Sequence, residues 1–161
     1  MDDGDGREID PDVDLRVPAQ RRQRAFDPAV LGVIAAGGVL GAEARYALER
    51  AVPSAAGDWP VATFVINVAG SLLIGVLMVV VTELRTPHRL VRPFLGVGIL
   101  GGFTTFSTAV VEVVALQRAG EPVLGLAYLV GTALSALLAV ALGVAATRRA
   151  AGRPVRPDAV A

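Results

Sequence analysis

An all-α membrane protein of four transmembrane helices is the fold class that this sequence predicts, and three observations carry it. Of its 161 residues 53% are hydrophobic, and the mean hydropathy is positive at +0.58. Charge withdraws from four stretches, each near the roughly 20 residues that a helix needs to cross a bilayer. The connections between them are too short to hold a soluble domain. With no cysteine, disulfides and thiolate metal sites are excluded.

Residues 1–26 are acidic, then basic, with Pro11 and Pro18 and no apolar period. That composition predicts a disordered tail. The first apolar run begins only after Asp27, too late for a secretory signal, so no cleavage is expected. The first span is expected from Pro28 to about Leu48, with Asp27 as its cap and Pro28 at the first helical position. Glu43 and Arg45 near its end make it the least hydrophobic of the four. The second is uncharged from Trp59 to Thr82, and the third runs from about Leu90 to Gln117. The fourth is uncharged from Pro122 to Thr147, and residues 148–161 form a short polar tail. The four-span domain is therefore 27–147. Gly37, Gly38 and Gly41, Ala69 and Gly70, and Gly131 and Ser135 offer the small surfaces at which helices in lipid approach closely.

The third span carries an interruption, expected at Gly101–Thr105, within Gly101-Gly102-Phe103-Thr104-Thr105-Phe106-Ser107-Thr108. A bilayer tolerates broken backbone only where protein shields it or a polar cavity receives it. A break frees carbonyls that can hold a desolvated cation, and helix N-termini beside it favour anions. The hydroxyls could also satisfy themselves on carbonyls one turn earlier.

An even number of spans places both tails and the connection between spans two and three on one side. That side carries eleven arginines between Arg16 and Arg156. The other carries Arg50 and Arg118, with Arg45 at the membrane edge. The positive-inside rule puts both termini in the cytoplasm of a multi-pass plasma-membrane protein.

Asn67 lies mid-span, where a carboxamide needs a polar partner. An interhelical hydrogen bond and a pore role both answer that need. Thr63, one turn away on the same face, extends a polar track. Tyr128, Thr132 and Ser135 stand near one another on span four, as pathway groups or as an interfacial tyrosine with packing hydroxyls. Glu112 ends the uncharged part of span three, where it could pair with an arginine or sit in a wet vestibule with Arg45 at the membrane edge. No nucleophile with its base, phosphate loop or metal cluster is recognisable, which argues against an enzyme. Nothing points to nucleic acid.

Three motifs in order resemble the CrcB/Fluc family of fluoride-specific ion channels. They are Gly37-Gly38-Val39-Leu40-Gly41-Ala42-Glu43-Ala44-Arg45-Tyr46, the stretch from Thr63 to Gly75 around Asn67, and the Gly101–Thr108 segment. With Tyr128, the likeness covers about residues 28–147. The resemblance implies an antiparallel dimer of four-helix subunits that passes fluoride passively out of the cytoplasm. It also implies a structural, untransported Na+ at the dimer centre, held here by the backbone carbonyls of Gly101 and Thr104. The fluoride pathway would be lined by Asn67, Phe106, Thr63, Tyr128 and Thr132.

Two departures stand out. The family motif continues with a second phenylalanine three residues after the first, and here that position is Ala109. The arginine bias also opposes insertion in both orientations, which an antiparallel homodimer requires. Together they suggest one half of a heterodimer with a paralogous four-span subunit. The alternative function is a small multidrug-type, proton-coupled exporter. That class needs a membrane carboxylate in span one, where Glu43 stands beside a neutralising Arg45. A subunit that only packs would not need the broken backbone.

Overall fold

The computed structural model describes residues 27–84 and 88–152. The expected tail over 1–26, the end of the tail beyond residue 152, and Arg85 lie outside the described residues. Those described form helices and connections without a strand, and four helical stretches are long and apolar enough to cross a membrane. This is a multi-pass membrane protein.

Helix α1 spans Pro28–Ala51. Its start follows the sequence: Asp27 is extended and accepts a hydrogen bond from Ala29 N at 2.9 Å, with Pro28 opening the first turn. It ends three residues beyond the expected Leu48, because Glu49 and Arg50 leave the apolar run without breaking the helix. Helix α2 is α-helical over Val61–Val79 and closes in a π-helical turn, Val80–Leu84. Helix α3 runs in π-helical form over Pro93–Leu100 and continues as α-helix through Gly101–Phe103. Helix α4 is Ser107–Arg118, and α5 is Pro122–Ala150.

The third span is thus two helices. The interruption falls at Thr104–Phe106, at the C-terminal side of the interval expected and one residue past it. Gly101 and Gly102 themselves remain helical. The lack of a side chain at Gly102 and Gly37 serves packing: a Cβ on Gly102 would stand 2.5 Å from Gly38 O, and one on Gly37 would stand 2.6 Å from Phe94 O. A Cβ on Gly41 would overlap the carbonyl of Ile99. Small residues thus bring α1 and α3 into backbone contact, as van der Waals packing in lipid favours.

Helices α2 and α5 form the other close pair. Here the contact is reciprocal, since a Cβ on Gly75 would overlap Val140 O and one on Gly143 would overlap Leu72 O. Neither glycine was among the expected packing positions. Gly70, which was, faces the Thr104 methyl group, whereas Gly131 faces the Trp59 indole.

At the arginine-rich end, Arg148 pairs with Glu83 through Nη2 at 2.6 Å and Nε at 3.0 Å, joining α5 to the π-helical end of α2. Arg89 reaches Asp27 at 2.8 Å, which ties the segment before α3 to the start of α1.

Candidate functional site

The break rearranges hydrogen bonds in a way that singles out particular atoms. In a continuous helix the amides of Thr105 and Thr108 would serve the carbonyls of Gly101 and Thr104. Instead Thr105 N donates to Asn67 Oδ1 at 2.8 Å, and Thr108 N donates to Thr105 Oγ1 at 3.2 Å. The carbonyls of Gly101 and Thr104 therefore lose their helical donors. Two neighbours are compensated from elsewhere: Thr105 O accepts from Asn67 Nδ2 at 2.8 Å, and Gly102 O accepts from Arg45 Nε at 3.3 Å. Thr104 makes the back-bond foreseen for such hydroxyls, Oγ1 donating to Leu100 O at 2.9 Å. Thr105 Oγ1 and Thr108 Oγ1 lie 3.0 Å apart.

Asn67 therefore caps both the N–H and the C=O of Thr105 while buried between helices. Its second Nδ2 hydrogen is not needed for that pair of bonds. A cavity of about 250 Å³ adjoins it, lined by Asn67, Ser71, Thr104, Thr105, Phe106 and Thr132 among others. Phe106 is 75% exposed, a bulky ring projecting from the break. Ala109 also borders this space and is 3% exposed, with Leu116 and Tyr128 as its buried core neighbours.

A second polar group lies around Glu112. Thr63 Oγ1 donates to Glu112 Oε1 at 2.6 Å, and Tyr128 Oη donates to Glu112 Oε2 at 2.6 Å. One carboxylate thus gathers a hydroxyl from α2 and another from α5, in the short range of charge-assisted bonds. Thr63 and Tyr128 are both fully buried. Tyr128 is a core residue of the bundle. Thr132, one turn along α5, has its Oγ1 enclosed without a hydrogen-bond partner. Glu112 and Thr63 border a cavity of about 380 Å³ roofed by Ser54, Ala55, Ala56, Gly57 and Asp58.

The structure brings Thr63, Asn67, Thr105, Glu112, Tyr128 and Thr132 together along the seam of α2, α4 and α5. Of the two surroundings open to Glu112, it borders a cavity, and its hydrogen bonds come from hydroxyls and not from an arginine. Arg45 pairs with Glu49 at 3.2 Å and with the Gly102 carbonyl, and not with Glu43. The reason is helical geometry: Glu49 lies four residues on, one turn along the same face, whereas Glu43 is two residues back and points away. The participation of Thr105 and the clamp on Glu112 escaped the sequence, because these bonds join residues 16 to 49 positions apart.

The sequence profile described as "CrcB-like protein, Camphor Resistance (CrcB)" matches residues 32–144. The chain is 52% identical over 134 residues to the fluoride-specific ion channel FluC 2 of Nocardia farcinica, covering 83% of this chain and 96% of that relative. Two relatives come from one strain of Streptomyces avermitilis. Its fluoride-specific ion channel FluC 2 is 48% identical over 124 residues, which is 76% of this chain and 78% of the relative. Its FluC 3 is 45% identical over 127 residues, 79% of this chain and 62% of the relative.

Proposed function

The chain belongs to the CrcB family, a family of channels and not of enzymes, and from that premise we propose that it is a fluoride-specific ion channel that lets fluoride leave the cytoplasm passively. The observation that carries this reading is the seat of Asn67. Its carboxamide is locked to the backbone N–H and C=O of Thr105, beside the cavity that Phe106 and Thr132 border. Fluoride is small and strongly hydrated, so a pathway must replace water with close donors. The spare amide hydrogen of Asn67 and the hydroxyls of Thr63, Tyr128 and Thr132 are such donors. The edge of the Phe106 ring carries the positive part of its quadrupole and suits the same anion. Glu112 occupies the Thr63 and Tyr128 donors with its own carboxylate, which must yield them before an entering anion can use them.

The residues at the break fit a structural Na+. The carbonyls of Gly101 and Thr104, deprived of their helical amides, are oxygen donors of the kind that a desolvated cation needs. A cation there would add a favourable potential for an anion nearby. Gly101 is exposed in the subunit, and a Cβ on it would meet nothing closer than 3.9 Å, so the surface beside it is open to a partner.

The assembly in this reading is an antiparallel dimer, with both termini of this chain cytoplasmic. The arginine asymmetry favours one orientation, and Ala109 supplies no ring. An oppositely oriented relative carrying the phenylalanine would answer both. That one Streptomyces strain holds more than one relative of this chain is consistent with such pairing. Fluoride efflux from liposomes, with and without Asn67→Ala, tests the function. Proton-coupled drug movement, or no flux from any assembly, would reject it. Robust flux from the chain alone, with both orientations detected by labelling of single introduced cysteines, would reject the obligate heterodimer.

A further inference from the structure

We propose that Trp59 is a positioning residue: it fixes the Tyr128 ring so that the phenol hydroxyl stays aimed at Glu112. The inference rests on the channel reading above and adds a residue that lies outside the polar seam. Trp59 is the single tryptophan of the chain and precedes Pro60 and α2 on the connection from α1. Its indole stands edge-on to the Tyr128 ring, with centroids 5.3 Å apart and planes at 85°. It meets Phe64 in the same manner, at 5.7 Å and 71°. On the Gly131 side, a Cβ would stand 3.5 Å from Trp59 Cη2, so α5 leaves the indole just enough room one turn from Tyr128.

A phenol is rigid beyond its two side-chain torsions. Its oxygen leaves the side of Glu112 only if the whole ring shifts, and the indole blocks one direction of that shift, while the phenol O–H can still turn from the carboxylate to an entering anion. The connection that carries Trp59 also roofs the outer cavity through residues 54–58, turning at Gly57 with φ at +89° and closing with Asp58 N on Ala55 O at 3.1 Å. Roof, indole and phenol are therefore linked in series. A displacement of the roof is passed to the donor that faces Glu112. Edge-on aromatic contacts carry directional preference beyond their buried area, which suits this bracing role.

A double-mutant cycle on fluoride efflux decides the matter, using whichever assembly conducts, the chain alone or its complex with an oppositely oriented relative. Trp59→Ala should lower flux by about tenfold, as should Tyr128→Phe, the scale of one lost hydrogen bond. The double variant should be no slower than Tyr128→Phe alone, because the indole acts only through the phenol. Trp59→Phe keeps an aromatic edge and should restore flux to within about twofold of the unaltered chain. Multiplying losses in the double variant, or unaltered flux in Trp59→Ala, would overturn the positioning role while leaving the channel reading intact. If no assembly of the unaltered chain conducts fluoride, both readings fall. The emission of the lone indole adds a readout independent of flux: Tyr128→Leu should shift it and Tyr128→Phe should not. An emission indifferent to Tyr128→Leu would overturn the contact.

Discussion

Asn67 and Thr105 exchange two hydrogen bonds across the helix break, each 2.8 Å long, so that one side chain replaces the partners of both backbone polar groups of a residue. Asn67→Ala removes both at once and leaves the N–H and C=O of half-buried Thr105 without those partners. Each such orphan costs about 1–3 kcal/mol. The expected result is a clearly lower unfolding temperature in detergent and loss of fluoride efflux. Asn67→Asp still accepts from Thr105 N but no longer donates to Thr105 O, and it adds a negative charge. It should unfold at an intermediate temperature yet conduct no better than Asn67→Ala.

Glu112 is the shared acceptor of two buried hydroxyls. Glu112→Ala should destabilise the fold more than Thr63→Val or Tyr128→Phe, since it strands two donors where each of the others removes one. Hydrogen bonds to a charged group contribute about 1.5–3 kcal/mol each. Glu112→Gln, which keeps an acceptor oxygen for one hydroxyl, should fall between. Thermal unfolding of the four variants in one detergent checks the order.

Glycine substitutions should separate by location and not by residue type. Gly41→Ala and Gly143→Ala drive a methyl group into a facing carbonyl and should each cost about 1–3 kcal/mol by overpacking. Gly32→Ala meets nothing within 4 Å and should be neutral or stabilising by up to about 1 kcal/mol, the helix propensity gained. Equal effects at Gly32 and Gly41 would contradict the α1–α3 contact.

Asp27 carries the pH dependence. Its hydrogen bond from Ala29 N, helped by Arg89, holds its carboxyl below the ordinary value of 3.8. A folded value below the unfolded one means stabilisation that is present above about pH 4 and lost as pH falls through the folded value. Asp27→Asn keeps a cap acceptor but cannot titrate. Unfolding followed between pH 3 and pH 6 should show a shallower slope for this variant.

Ala109→Phe tests the missing ring. The position is buried but borders a cavity of about 250 Å³, so a larger side chain has space to enter. The variant should fold, and if the missing ring limits the chain alone, its flux should rise. Unchanged flux would assign the limitation to orientation.

The spans were legible because hydropathy and the Asp27-Pro28 start are local signals. The break was legible as a region but not in its residues: glycine pairs weaken helices, yet here Gly101 and Gly102 stay helical, with α1 packed against Gly102. What ended the helix was competition for the Thr105 amide by Asn67, and no local rule shows that. The π-helical turns of α2 and α3 were equally hidden, since an apolar run reads the same with either spacing of backbone bonds. Gly75 and Gly143 went unnoticed because each matters only against the other helix.

The exposure of Phe106 gives assembly a function of its own. The ring, the cavity and the Gly101 carbonyl all belong to the break, so one docking event in the proposed dimer would cover the ring, recruit the cation and finish the pathway together. A lone subunit then has no leak to suppress. Its permeability is withheld by incompleteness, and the membrane is protected from stray conduction without any gate.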